Sequence, residues 1–162
     1  MIKKNQTLKL EVKMENITIF NGLSKTVIKK LKEKLEQKIY KEREIICNEG
    51  DFTSEFYLIR SGTVDIIKME AKIAELKAGS SFGEMSLIDE EARDATVIAK
   101  EITRVFVLKK EDLEELHKED VESYIIIMKN ISRDLTDKLR VINARLRRMW
   151  NSYLEVLNES EV

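Results

Sequence analysis

Proline is absent from all 162 residues, and glycine occurs only five times. With no proline to preset a turn, each of Gly22, Gly50, Gly62, Gly79 and Gly83 marks a candidate turn or a close approach of backbone. Cysteine and histidine occur once each. The lone Cys47 excludes an intramolecular disulfide and any cysteine-cluster metal site, and the lone His117 excludes His-rich zinc chemistry. Cys47 follows Ile45-Ile46 and reads as a small buried hydrophobe. His117 closes a polar helix, Lys110–His117, and reads as a solvated imidazole near a helix C-terminus. No nucleophile–base set and no metal set can be assembled from so few partners, so the expectation is a protein that is not an enzyme. No apolar run approaches the roughly 20 residues of a membrane-spanning helix. The start, Met1 to Leu8, lacks the apolar stretch and small-residue cleavage site of a secretory signal. A soluble, cytoplasmic protein with no membrane contact is therefore expected. The 29 basic and 30 acidic side chains leave a net charge of −1. Such a chain has no global field to draw it to nucleic acid or anionic lipid, and ligand choice falls to a local site.

What is present divides the chain into three. The size is that of one domain. Residues 1–15 form an N-terminal extension, 16–119 a β-body with flanking helices, and 120–162 a long C-terminal helix. Ser24 followed by Val27, Ile28, Leu31 and Leu35 predicts a capped amphipathic helix over 24–36. From Ile39 to Leu108 short β-rich segments alternate with Glu49-Gly50-Asp51, Ser61-Gly62 and Lys77-Ala78-Gly79, the rhythm of an antiparallel roll or sandwich. Phe56–Ile59, Val64–Ile67, Ala95–Ala99 and Val105–Leu108 carry the β-branched and aromatic residues that suit a pleated surface. Beyond Lys110 the chain turns helical, ending in one segment from Val121 to Leu157 without a glycine. There Met128, Ile131, Leu135, Leu139, Ile142, Leu146, Met149, Tyr153 and Val156 step by three and four residues, a coiled-coil seam with one stutter. A helix near 37 residues is about 55 Å long, more than a small domain's diameter. At least its far half needs another partner, and a homodimer is the expected one.

The chemistry concentrates in Phe82-Gly83-Glu84-Met85-Ser86-Leu87-Ile88, Asp89-Glu90-Glu91-Ala92 and Arg93-Asp94-Ala95-Thr96-Val97. A glycine admits a close ligand, the next residues can open a helical turn whose free N–H groups face an anion, and Arg93 adds a delocalised positive fork. Glu84 is an acceptor suited to a sugar hydroxyl. Phosphate plus ribose is the implied ligand. The same residues could also arise from an ordinary Glu–Arg surface pair across a hairpin.

The segment resembles the phosphate-binding cassette of the cyclic-nucleotide-binding domain family: Phe-Gly-Glu, two residues and Leu, then Arg-x-Ala-Ser/Thr-Val. Glu49-Gly50-Asp51 with Phe56-Tyr57-Leu58-Ile59, Ser61-Gly62 and Val64 is similar to the family's first half. Ile73-Ala74-Glu75-Leu76 and Gly79 are similar to the strand leading into the cassette, so the likeness covers roughly 16–158. The resemblance implies an eight-stranded antiparallel β-roll (a jelly-roll) with an N-terminal helix and a long C-terminal helix. It implies that Glu84 binds the ribose hydroxyl, that Arg93 pairs with the cyclic phosphate, that the backbone of Gly83, Ser86 and Ala95 lines the site, and that Thr96 lies near the base. With Met85 and Asp94 these are the candidate ligand residues; none is assigned to catalysis or to a metal. Asp94 stands where the family usually has a small or hydroxyl residue. Facing a phosphate about 5 Å away it would cost on the order of 3 kcal/mol, about a hundredfold in affinity. Alternatively strand alternation turns it outward, toward solvent or a lysine. With no threonine after Arg93, cyclic AMP is favoured over cyclic GMP. The expected protein is a sensor that signals through its C-terminal helix to a protein effector. One alternative is a degenerate roll that binds no nucleotide and serves as a dimeric scaffold. Another is a DNA-binding partner using Arg140, Arg145, Arg147 and Arg148, but these spread around more than one helix face, and direct nucleic-acid binding is not expected.

Overall fold

The computed structural model describes residues 13–88 and 91–159. Two 3-10 turns, Met14–Asn16 and Thr18–Phe20, lead into helix α1, Lys25–Lys34. Ser24 caps it, its Oγ accepting from the Val27 N–H at 3.3 Å; such a cap contributes about 1 kcal/mol. The helix ends two residues before the expected 36, because Leu35 turns extended and Glu36 pairs with Val107.

Eight strands follow: β1 Glu36–Tyr40, β2 Ile45–Cys47, β3 Phe56–Ser61, β4 Thr63–Lys68, β5 Ala71–Lys77, β6 Ser81–Phe82, β7 Thr96–Ala99 and β8 Thr103–Leu108. They form two antiparallel four-stranded sheets, ordered β1-β8-β3-β6 and β2-β7-β4-β5. One apolar cluster fills the space between the sheets, with Tyr57, Ile59, Val64, Phe82, Val97, Val105 and Val107. Cys47 lies in it as expected, and burial pushes its thiol pKa up. A second cluster sits between the first sheet and the helices, with Phe56, Leu58, Phe106 and Leu108. Strands β3 and β8 thus bury both faces, which is why their sequences run apolar without alternating. Strand β4 has one covered face, and its Thr-Val-Asp-Ile alternates.

A helical turn α2, Glu84–Ile88, lies between β6 and β7. After β8 come α3, Lys110–Glu119, and α4, Val121–Glu159, separated by Asp120. Asp120 accepts from the Ser123 N–H at 3.0 Å and the Ser123 hydroxyl at 2.6 Å, capping α4. His117 is exposed, as expected, and stacks on Tyr124 at 4.6 Å, helping to set α3 against α4. The first half of α4 docks on the body: Ile127 and Ile131 are buried, with Met128 and Leu135 packed beside them. Asn130 donates to the carbonyls of Ile19 and Asn21 at 3.0 and 2.7 Å, which pins the helix to the N-terminal turns. The first three residues of the expected seam therefore belong to the protein's own core. From Leu139 onward the seam is open, with Ile142 52%, Leu146 57% and Met149 68% exposed.

Candidate functional site

Three segments meet around Arg93. Strand β6 hydrogen-bonds to β3 through Tyr57 and Phe82, whose rings stack at 4.8 Å. Gly83 then takes φ +85°, and an added Cβ there would lie 2.5 Å from Arg93 Nη1 and 2.8 Å from the Glu55 carbonyl. Only glycine lets the chain leave the strand and pass this close to the guanidinium. On the other side, the Gly50 N–H donates to the Arg93 carbonyl and the Arg93 N–H to the Asp51 carbonyl, both at 2.8 Å. The arginine's backbone is thereby tied to the loop between β2 and β3.

The guanidinium is buried, with the residue 4% exposed. It donates from Nε to Thr53 Oγ1 at 2.9 Å, from Nη2 to the Glu55 carbonyl at 2.6 Å and, more loosely, from Nη1 to the Gly83 carbonyl at 3.4 Å. Its carbon lies 5.5 Å from the Tyr57 ring centre. These partners are neutral, and no carboxylate among the described residues forms an ion pair with it. The Glu55 carboxylate is taken up instead by the Tyr57 hydroxyl at 2.7 Å and Lys38 at 3.5 Å. Burial works to raise the Glu55 pKa, but those two partners outweigh it and hold the carboxyl below its ordinary value. A buried cation that forms no ion pair among the described residues is costly, and a guanidinium is complementary to an anion.

The second half of the site is Glu84, 8% exposed at the start of α2. Its Oε1 accepts from Lys138 Nζ of α4 at 3.0 Å. Its Oε2 is buried with no hydrogen-bond partner among the described residues. An unmet carboxylate oxygen wants a donor such as a hydroxyl. The arrangement thus suits a molecule that is anionic at one end and carries a hydroxyl at the other.

Of the residues singled out in the sequence, Gly83 and Arg93 meet directly, Glu84 and Ser86 are buried in α2, and Ala95 and Thr96 are half-buried. The Thr96 hydroxyl accepts from the Glu49 N–H at 2.9 Å. Met85 and Asp94 are exposed and turn outward. Asp94 pairs with Lys68 at 3.3 Å, which decides between its two expected orientations in favour of the outward one. Of the acidic segment after α2, Asp89 and Glu90 lie outside the described residues. The sequence reading missed Thr53, Glu55, Tyr57 and Lys138. The first three stand about 40 residues before Arg93 and the last 54 after Glu84, so no local spacing could reveal them.

A family model described as "Cyclic nucleotide-binding domain" matches residues 37–120. The chain belongs to the cyclic nucleotide-binding domain family. The matched span runs from β1 through the cassette to the end of α3. The human cyclic nucleotide-gated channel beta-1 is 30% identical over 128 residues, 75% of this chain and 10% of the channel. The cyclic AMP receptor protein of Thermus thermophilus is 32% identical over 104 residues, 61% of this chain and 48% of that protein. The chain thus spans a tenth to about half of these two relatives. A crystal structure of a cyclic nucleotide-binding domain from Methylobacillus flagellatus superposes with a TM-score of 0.76 at 26% identity, covering 82% of this chain and 81% of that one.

Proposed function

We propose that the protein is a sensor that binds cyclic AMP between Arg93 and Glu84 and signals through α4. The observation that carries this reading is a buried guanidinium whose hydrogen bonds go to neutral oxygens and which forms no ion pair among the described residues, together with the Glu84 Oε2 beyond Gly83, buried with no hydrogen-bond partner among the described residues. A cyclic phosphate supplies the anion. In a 3′,5′-cyclic nucleotide both of those sugar oxygens are esterified, so the 2′-hydroxyl is the remaining sugar donor for Glu84. The outward Asp94 removes the electrostatic objection to an anion here. It also leaves no hydroxyl side chain directly after Arg93, which favours cyclic AMP over cyclic GMP. Gly83, Ser86 and Ala95 would line the site through backbone, with Thr96 toward the base. The open seam of α4 supports a homodimer as the signalling form.

A scaffold without ligand is the second reading. It draws on the three hydrogen bonds of Arg93 to protein acceptors, which give the residue a structural use of its own. Replacing Arg93→Gln separates the two. As a sensor the variant loses at least about thirtyfold in affinity for cyclic AMP, since a charged hydrogen-bonding pair is worth roughly 2 kcal/mol or more. Unchanged affinity in a folded variant, judged by circular dichroism, removes Arg93 from the site.

A further inference from the structure

Lys138 lies on α4, 54 residues after Glu84; it donates to the Ser81 carbonyl at 2.8 Å and to Glu84 Oε1 at 3.0 Å, and it forms an ion pair with Asp134 Oδ2 at 2.7 Å. Asp134 is itself held by the Ser81 hydroxyl at 3.2 Å. The ammonium is thus held from three sides by a carbonyl and two carboxylates. With its charge engaged by Glu84 and Asp134, the contact through which Lys138 bears on the site is the one to Glu84. Two opposed roles are conceivable: it could compete with a ligand hydroxyl for the carboxylate, or it could hold the carboxylate ready. The two oxygens decide between them. Lys138 uses Oε1 and leaves Oε2, the one buried without a partner among the described residues, so a hydroxyl can bond to Glu84 without displacing the lysine.

Resting on the reading of Glu84 as the ribose-binding carboxylate, we infer that Lys138 is a positioning residue. It fixes the carboxylate so that Oε2 is presented to the 2′-hydroxyl, and by this means α4 completes the ligand site. A carboxylate held in one rotamer before the ligand arrives loses less freedom on binding. Because the hold comes from α4, ligand affinity and helix docking support each other reciprocally.

The test is isothermal titration of the full chain with cyclic AMP and with its 2′-deoxy analogue, on wild type, Lys138→Met and Lys138→Arg. Lys138→Met should weaken cyclic AMP by about tenfold and move the deoxy analogue by no more than about twofold, so that discrimination between the two collapses. Lys138→Arg should restore part of it. A merely structural lysine would weaken both nucleotides alike, and that outcome overturns the inference. So does tighter cyclic AMP binding in Lys138→Met, which would make the lysine a competitor. If wild type binds neither nucleotide, the site reading itself fails and takes this role with it. Wild-type binding with an unchanged ratio in Lys138→Met overturns the positioning role alone.

Discussion

Gly83 has no room for a side chain: the φ of +85° is one that L-residues rarely adopt, and the Glu55 carbonyl blocks the Cβ direction. Gly83→Ala should cost at least about 2 kcal/mol, lowering the melting temperature by about 4–8 °C; an unchanged melting temperature would mean the cassette can re-form around a Cβ. Asp94→Ala is the opposite case. An exposed pair with Lys68 is worth at most about 1 kcal/mol, and the carboxylate points away from Arg93. Cyclic AMP affinity should change by less than about threefold; a tightening near the hundredfold estimated for a phosphate-facing aspartate would put the side chain inside the site. The tyrosines set the alkaline limit. Burial first, and then the charge of Glu55, push Tyr40 up to about 12, and burial with the hydrogen bond to Glu55 pushes Tyr57 higher still. Above pH 10, where unfolded tyrosine ionises, the folded chain keeps protons that the unfolded chain has lost, so stability falls as pH rises. For Tyr40 the loss runs from about 10 to about 12. The drop in melting temperature between about pH 8.5 and pH 11 should shrink in Tyr40→Phe, and an equal drop would remove Tyr40 from the account. Arg93 and Glu84 were legible in the sequence because Arg93 stands only nine positions after Glu84, which itself directly follows the Gly83 turn. Thr53, Glu55 and Lys138 were not, because only the closed roll brings them to the site.

Among the elements, the β4–β5 hairpin carries visible strain. Lys68 pairs with Ala71, so Met69 and Glu70 form a two-residue turn, and both have positive φ, 48° and 65°. That is the type I′ pattern, which Asn-Gly satisfies and Met-Glu does not. Replacing Met69-Glu70 with Asn-Gly should raise stability by about 0.5–1 kcal/mol, read as a higher urea midpoint at unchanged slope; a lower midpoint would show that the Met69 N–H bond to Glu49 Oε2 depends on the present residues. Met69-Glu70 carries no turn signature, and neither do the glycine-free turns between β1 and β2, where Arg43 takes φ 66°, and between β7 and β8, so the glycines marked only some of the turns. Helix α4 was legible in length and in its seam, but periodicity alone could not say where intramolecular packing ends. The divide falls after Leu135, beyond which Leu139, Ile142, Leu146 and Met149 are open. If a second copy covers them, Ile142→Glu with Met149→Glu places like charges opposite one another and should halve the sedimentation mass while the roll still melts cooperatively. A dimer that persists, or a wild type monomeric at tens of micromolar, would rule out this seam as the interface.

At the scale of the molecule, two apolar clusters divide the labour. The one between the sheets closes the roll and holds Tyr57 and Phe82 under the cassette; the one outside the first sheet seats α1, α3 and the first half of α4. The cassette lies where these parts meet, with Arg93 anchored to the loop between β2 and β3 and Glu84 anchored to α4. The roll was legible from the glycine-punctuated strands and the cassette motif together. Which strands share a sheet was not, since β3 and β8 cover both faces and their composition does not say which neighbour lies on which side. The most direct test of the site is isothermal titration of the purified wild-type protein with cyclic AMP, with cyclic GMP as the comparison. The expected result is saturable binding of one cyclic AMP per chain, tighter than cyclic GMP. Absence of binding to either nucleotide at millimolar concentration would contradict the sensor reading and leave the roll a scaffold.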